Sequence, residues 1–203
     1  MDRIVRGAGY ALGHSERELR RLSAQATCQF IQQQAGIETV LRISSHGKSV
    51  LMLQSELMGA HALGLRNVLC AEAAIGIADN LNQGLDLGGH PIGSQTALVV
   101  GGADFLVTPP VFDVEAFEAF VRDAQSPVIA GIRPLTSLRD AEFIINEMRV
   151  PIPASYVARL AAAEDAEAEG LAIARELVER LRHVAAGVQL SGGATTLSKW
   201  QPT

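Results

Sequence analysis

Several things that would announce a function are missing from this sequence. There is no cluster of lysine and arginine, and the formal net charge is -5, so a nucleic acid or an anionic membrane is a poor fit as main partner. Lysine occurs only at Lys48 and Lys199. Neither lies at an obviously apolar strand end, which argues against Schiff-base chemistry. Cysteine occurs only as Cys28 and Cys70. They form no CxxC pair and sit in apolar stretches, where a reduced, buried thiol is the ordinary state. The five histidines show neither HxH nor HExxH spacing, so no metal site is expected. A Gly-x-Ser-x-Gly nucleophile elbow is also lacking. No apolar run reaches the length of a membrane span, and MDRIVRGAGYALGHSERELRR has no continuous apolar core of a signal peptide; the expectation is a cytoplasmic protein that does not enter membranes.

What is present is a chain able to fold. Hydrophobic residues make up 48% and charged residues 19% of 203 positions, enough apolar surface to offset chain entropy in one domain. The expectation is a single domain over 1–203 with a divergent tail from about 192 to 203. Ser15 and Glu18 form a capping-box signal for a helix over residues 16–35. TVLRISS then reads as a strand. A helix with Leu53, Leu57 and Ala60 on one face closes at Gly64, and RNVLC follows as a short buried strand. Residues 73–83 read as a helix, GLDLGGHPIG as a loop, and TALVVGG and ADFLVTPPVF as strand-like segments. Asp113 caps a helix bearing Val114, Phe117 and Val121. PVIAGI is a strand, Ser137 with Asp140 opens a helix over 138–148, and a long Ala/Glu/Arg helical region leads to GVQL.

Short apolar strands alternating with amphipathic helices imply an α/β protein with a parallel sheet covered by helices. Periodicity leaves barrel and open sheet equally available. GLDLGGHPIG precedes a strand, where a nucleotide-binding glycine loop follows one, so turn chemistry explains it.

Three stretches carry a resemblance: GIETVLRISS with the following LQSELMGAHALGLRNVLC, ADFLVTPPVFDVEAFEAF, and PVIAGIRPLTSLRDAEFIINEM with VPIP. All three resemble the methylenetetrahydrofolate reductase family. AEAEGLAIARELVERLRHVAAGVQLS and LNQGLDLGGHPIGSQTALVVG are similar to its bacterial form fused to a homocysteine methyltransferase. The resemblance spans roughly residues 25–191. It implies a fold derived from the (β/α)8 TIM barrel, with FAD at the carboxyl ends of the strands and NAD(P)H as co-substrate. The implied activity is reduction of 5,10-methylenetetrahydrofolate to 5-methyltetrahydrofolate. Arg42, Ser44, Ala71 and Glu72 match or neighbour flavin-side positions. Phe143 matches an aromatic position that stacks on folate, with ordinary core packing as its equal alternative.

Departures from the family pattern temper that expectation. The family's glutamate general acid has no counterpart, so no residue is assigned a catalytic role. The Leu-Thr-Gly-Asp-Pro loop is replaced by AEAAIGIADN, and Pro109 stands where the family has a glutamine. TALVVG runs into GADFLVTPP too closely for two parallel neighbours, which need a crossover of about ten residues. The barrel is therefore expected to be incomplete, rearranged, or completed by another chain, in a homo-oligomer or with a partner. The alternative function is a non-catalytic remnant that binds folate or flavin weakly or serves as a partner subunit.

Overall fold

Helix caps and parallel strand pairing fix the architecture in a computed structural model that describes residues 23–44, 48–71, 82–86, 103–193, 196 and 198–200. They fall into two compact units: Met1–Asp86 with Gly101–Phe105, and Leu87–Val100 with Leu106–Thr203.

In the first unit, α1 (Ala24–Ala35) is capped by Ser23, whose side chain accepts from the Ala26 amide, and it ends at Gly36 in the left-handed region. The expected Ser15–Glu18 cap lies outside the described residues. β1 (Val40–Ser44), β2 (Asn67–Ala71) and β3 (Asn82–Asp86) pair in parallel in that order, in continuous register from Val40↔Asn67↔Asn82 to Ser44↔Ala71↔Asp86. Between β1 and β2, α2 (Val50–Ala62) buries Leu53, Leu57 and Ala60, as their spacing predicts. These three pack with Cys28, Leu41, Ile43, Leu65 and Val68, with Cys70 against them. Desolvation pushes both thiols above the ordinary cysteine range, offset in part at Cys28 by a hydrogen bond with Thr39. His61 is exposed.

β3 corrects two expectations. Asn82 and Gln83 are strand rather than the end of a helix, and Gly84–Asp86 are strand rather than loop. NQGLD is poor in strand-forming residues. Pairing along β2 imposes the extended conformation where local propensity does not. Residues 73–81 and the expected strand over 96–102 lie outside the described residues.

In the second unit, β4 (Phe105–Pro110), β5 (Val128–Ile132) and β6 (Gly187–Leu190) also pair in parallel. α3 (Val114–Asp123) links β4 to β5; its cap Asp113 accepts from the Ala116 amide, and Phe117 is fully buried. Three helices link β5 to β6: α4 (Leu138–Asn146), α5 (Ala154–Ala162) and α6 (Ala166–Leu181). The long helical region read from the sequence is thus two helices. They divide where Asp165 leaves the helical conformation and accepts from the Ala168 amide, with Glu167 and Glu169 in the first turn of α6. Arg159 of α5 ties the pair together. Its Nε reaches Glu169 at 2.6 Å, its Nη1 and Nη2 reach Glu176 at 2.7 Å each, and it lies 5.9 Å from the centre of the Tyr156 ring.

The seam between β4 and β5 has unusual chemistry. Pro109 and Pro110 have no N–H to give, and the register slips between Val107↔Ile129 and Pro110↔Gly131, so β4 spends one extra residue there. The Thr108 hydroxyl substitutes for a backbone acceptor, taking the Gly131 amide at 3.0 Å in a buried setting. The Val111 amide then donates to the Gly131 carbonyl at 2.8 Å. A Cβ on residue 131 would lie 2.5 Å from the Thr108 carbonyl oxygen and 2.8 Å from that of Pro109. Among the described residues the two sets of parallel strands show no closed barrel, and no helix is long and apolar enough to cross a membrane.

Gly131→Ala is expected to lower stability by about 1–3 kcal/mol through overpacking against backbone. Thr108→Val should cost a similar amount, about 1–3 kcal/mol, because the Gly131 N–H would stay buried without an acceptor. Thr108→Ser should retain most of the stability. Gly187→Ala, where the nearest atom to the new methyl is Ile129 Cγ1 at 3.9 Å, should stay within about 0.5 kcal/mol. Urea midpoints of the four variants check the ranking.

Candidate functional site

Parallel α/β proteins assemble their sites at the carboxyl ends of the strands, and both units present such an end. In the first unit strand alternation does the placing. Leu41 and Ile43 are buried in the core shared with α1 and α2, so Arg42 occupies a position on the other face of β1. Arg42 pairs in register with Leu69, and Ser44 with Ala71. The backbone register therefore brings Arg42, Ser44 and Ala71 to one end of the paired strands. Arg42 is exposed and lies within β1, as the strand reading of TVLRISS expects. Glu72 lies outside the described residues. This strand end offers one guanidinium, a group suited to the phosphate of a dinucleotide cofactor.

In the second unit the segment after β5 is held by a single carboxylate. Asp140 Oδ1 accepts from Arg133 Nη2 at 2.7 Å, while Oδ2 accepts from the Thr136 amide at 3.2 Å and the Thr136 hydroxyl at 3.3 Å. The Asp140 amide donates to Ser137 Oγ at 3.1 Å. Ser137 is thus the expected cap. The Asp140 side chain, however, reaches Thr136, one residue before the position a regular capping box would use. With Arg133 and Asp140 only 30% and 14% exposed, their pairing is partly shielded and helps set the shape of the turn.

Two backbone contacts brace the same turn. Ile132 O accepts from the Ser191 amide at 2.8 Å and from Ser191 Oγ at 3.3 Å, pinning the end of β6 to the end of β5. Leu135 is fully buried, and its carbonyl presses on α6 so closely that a Cβ at Gly170 would overlap it. The turn is rigid on two sides, and α4 leaves it in a fixed direction.

Phe143 lies on α4 and is 51% exposed, while its neighbour Ile144 is fully buried. Core packing, the alternative use of this ring, is therefore filled by Ile144. Leu138, Ile145 and Met148 are also partly exposed. Sequence reasoning missed the Arg133–Asp140–Thr136 lock, because Asp140 was accounted for as a capping residue. An arginine directly after a strand and seven residues before an aspartate was the available signal. Among the described residues, no three of His, Cys, Asp and Glu cluster as metal ligands would.

Asp140→Asn should retain the helix cap but lose the ion pair, speeding hydrogen exchange at the Thr136 amide by about tenfold, the size expected when a charge-assisted bond is weakened. Amide exchange followed by mass spectrometry reads this directly; an unchanged Thr136 rate would mean that the turn is held by Gly170 and Ser191 alone.

Comparison with known proteins places these features. The family model for methylenetetrahydrofolate reductase matches residues 96–190, which include β4, β5, the Asp140-locked turn, α4 with Phe143, and β6. The earlier stretch GIETVLRISS lies outside the match. No curated protein matches the sequence. Among solved structures, an uncharacterized protein from Clostridium thermocellum that binds two copies of 5-methyl-5,6,7,8-tetrahydrofolic acid shares the fold. Its TM-score is 0.55 at 14% identity, over 83% of this chain and 74% of that one. The ADFLVTPPVFDVEAFEAF and PVIAGIRPLTSLRDAEFIINEM stretches both lie inside the matched segment, so residues 96–190 are similar to the methylenetetrahydrofolate reductase family.

Proposed function

We propose that the protein binds a reduced folate of the 5-methyltetrahydrofolate class at the carboxyl end of the strands of its second unit, with Phe143 as a stacking surface. The family match over residues 96–190 carries this reading. The Clostridium thermocellum protein of the same fold, which binds 5-methyl-5,6,7,8-tetrahydrofolic acid, supports it. The exposed ring of Phe143 gives apolar area for a planar heterocycle or a benzoyl ring. The braced turn before α4 fixes where the helix that carries this ring begins, which lowers the backbone ordering needed on binding.

The same family match favours a second reading, FAD-dependent reduction of methylenetetrahydrofolate with NAD(P)H. When bound, the flavin would supply the hydride chemistry. Arg42, Ser44 and Ala71, grouped by register at the end of β1 and β2, are the residues that would hold it, with Arg42 toward a phosphate. No carboxylate among the described residues is assigned as proton donor to the folate.

Calorimetric titration of the purified chain with 5-methyltetrahydrofolate should show saturable binding. Phe143→Ala should weaken it by about 2–12-fold, corresponding to about 0.5–1.5 kcal/mol of ring stacking. Absence of heat and of any thermal shift with saturating folate would overturn the folate reading. A yellow preparation bleached by NADH, with turnover to methyltetrahydrofolate, would establish the reductase reading in its place.

A further inference from the structure

The segment that follows β6 makes a set of contacts that neither the family resemblance nor the folate reading uses. After Ser191 the chain returns to α6. Glu167, in the first turn of that helix, receives both polar ends of the returning segment: Oε1 accepts from the Thr196 hydroxyl at 2.9 Å, and Oε2 accepts from Lys199 Nζ at 2.6 Å. Thr196 is 5% exposed. Further along α6, Arg175 Nη2 donates to the Lys199 carbonyl at 3.4 Å, and its guanidinium lies 5.9 Å from the centre of the Trp200 ring. Glu167 is held below the usual carboxylate range, first by Lys199 and then by Thr196.

Three residues beyond Glu167 is Gly170, the position at which α6 touches the Leu135 backbone. The returning segment therefore grips α6 within one helical turn of the contact that braces the β5–α4 turn. The Lys199–Glu167 ion pair and the Arg175 contacts are of the kind that is weak on a surface and screened by salt, while the Thr196 bond is shielded. Several together hold the segment closed while leaving it easy to release, which is what a reversible strap requires.

We propose that Thr196, Lys199 and Trp200 form an ionic strap that, by clasping Glu167 and Arg175, keeps the start of α6 seated on the Leu135 turn, so that releasing the strap loosens that turn. The device is independent of what the protein binds.

Trp200 is the single tryptophan of the chain and reports the strap directly. In the full chain at constant ionic strength, Lys199→Met, an exposed change away from any core, should shift tryptophan emission to longer wavelength. It should also raise hydrogen exchange of the Leu135 and Thr136 amides roughly fivefold, the size of one surface contact. Glu167→Gln should do the same, and the double variant should add little to either. Amides of α3 should not change. A red shift with unaltered exchange at Leu135 and Thr136 would overturn the coupling, and emission insensitive to both substitutions would overturn the strap itself.

Discussion

Close backbone approach between β4 and β5 governs the second unit. Pro109 and Pro110 cannot donate, so a regular ladder is impossible at that point. The unit keeps its parallel pairing only because Thr108 lends a hydroxyl and residue 131 has no side chain. From that seam the rest follows in order: β5 ends at Ile132, whose carbonyl holds Ser191. The turn after it is folded around Asp140, and the same turn seats Leu135 on α6. Replacing either glycine would drive a methyl group into a carbonyl that packing does not allow to move.

Amphipathic helices were legible because their signals are local. Leu53, Leu57 and Ala60, and Asp113 ahead of Val114 and Phe117, declare a buried face or a cap within a few residues, and the structure places them so. β3 was not legible. NQGLD carries almost no strand character of its own, and only a partner strand distant in sequence makes it extended. The break between α5 and α6 was readable in principle from Asp165 followed by two glutamates, but the alanine-rich surroundings mask it as continuous helix.

The candidate site was partly readable. Phe143 could be named but not oriented from sequence, since a helical aromatic is equally at home inside or outside; the burial of Ile144 beside it decides the matter. Arg42, Ser44 and Ala71 were named through family resemblance, and strand register groups them as a resemblance alone could not. The lock on the β5–α4 turn escaped because its aspartate already had an explanation. Side-chain bridges among residues 133, 136 and 140 depend on the path of a turn, which periodicity does not encode. The family match covers the later part of the chain, which includes the close-packed Gly131 and Gly170.

The paired prolines of β4 also fix the polarity of recognition at that strand end. Peptide units 109 and 110 can only receive hydrogen bonds, and the next available donor, Val111, is already committed to Gly131. A molecule resting against this stretch of main chain must bring protons of its own or meet it through carbon.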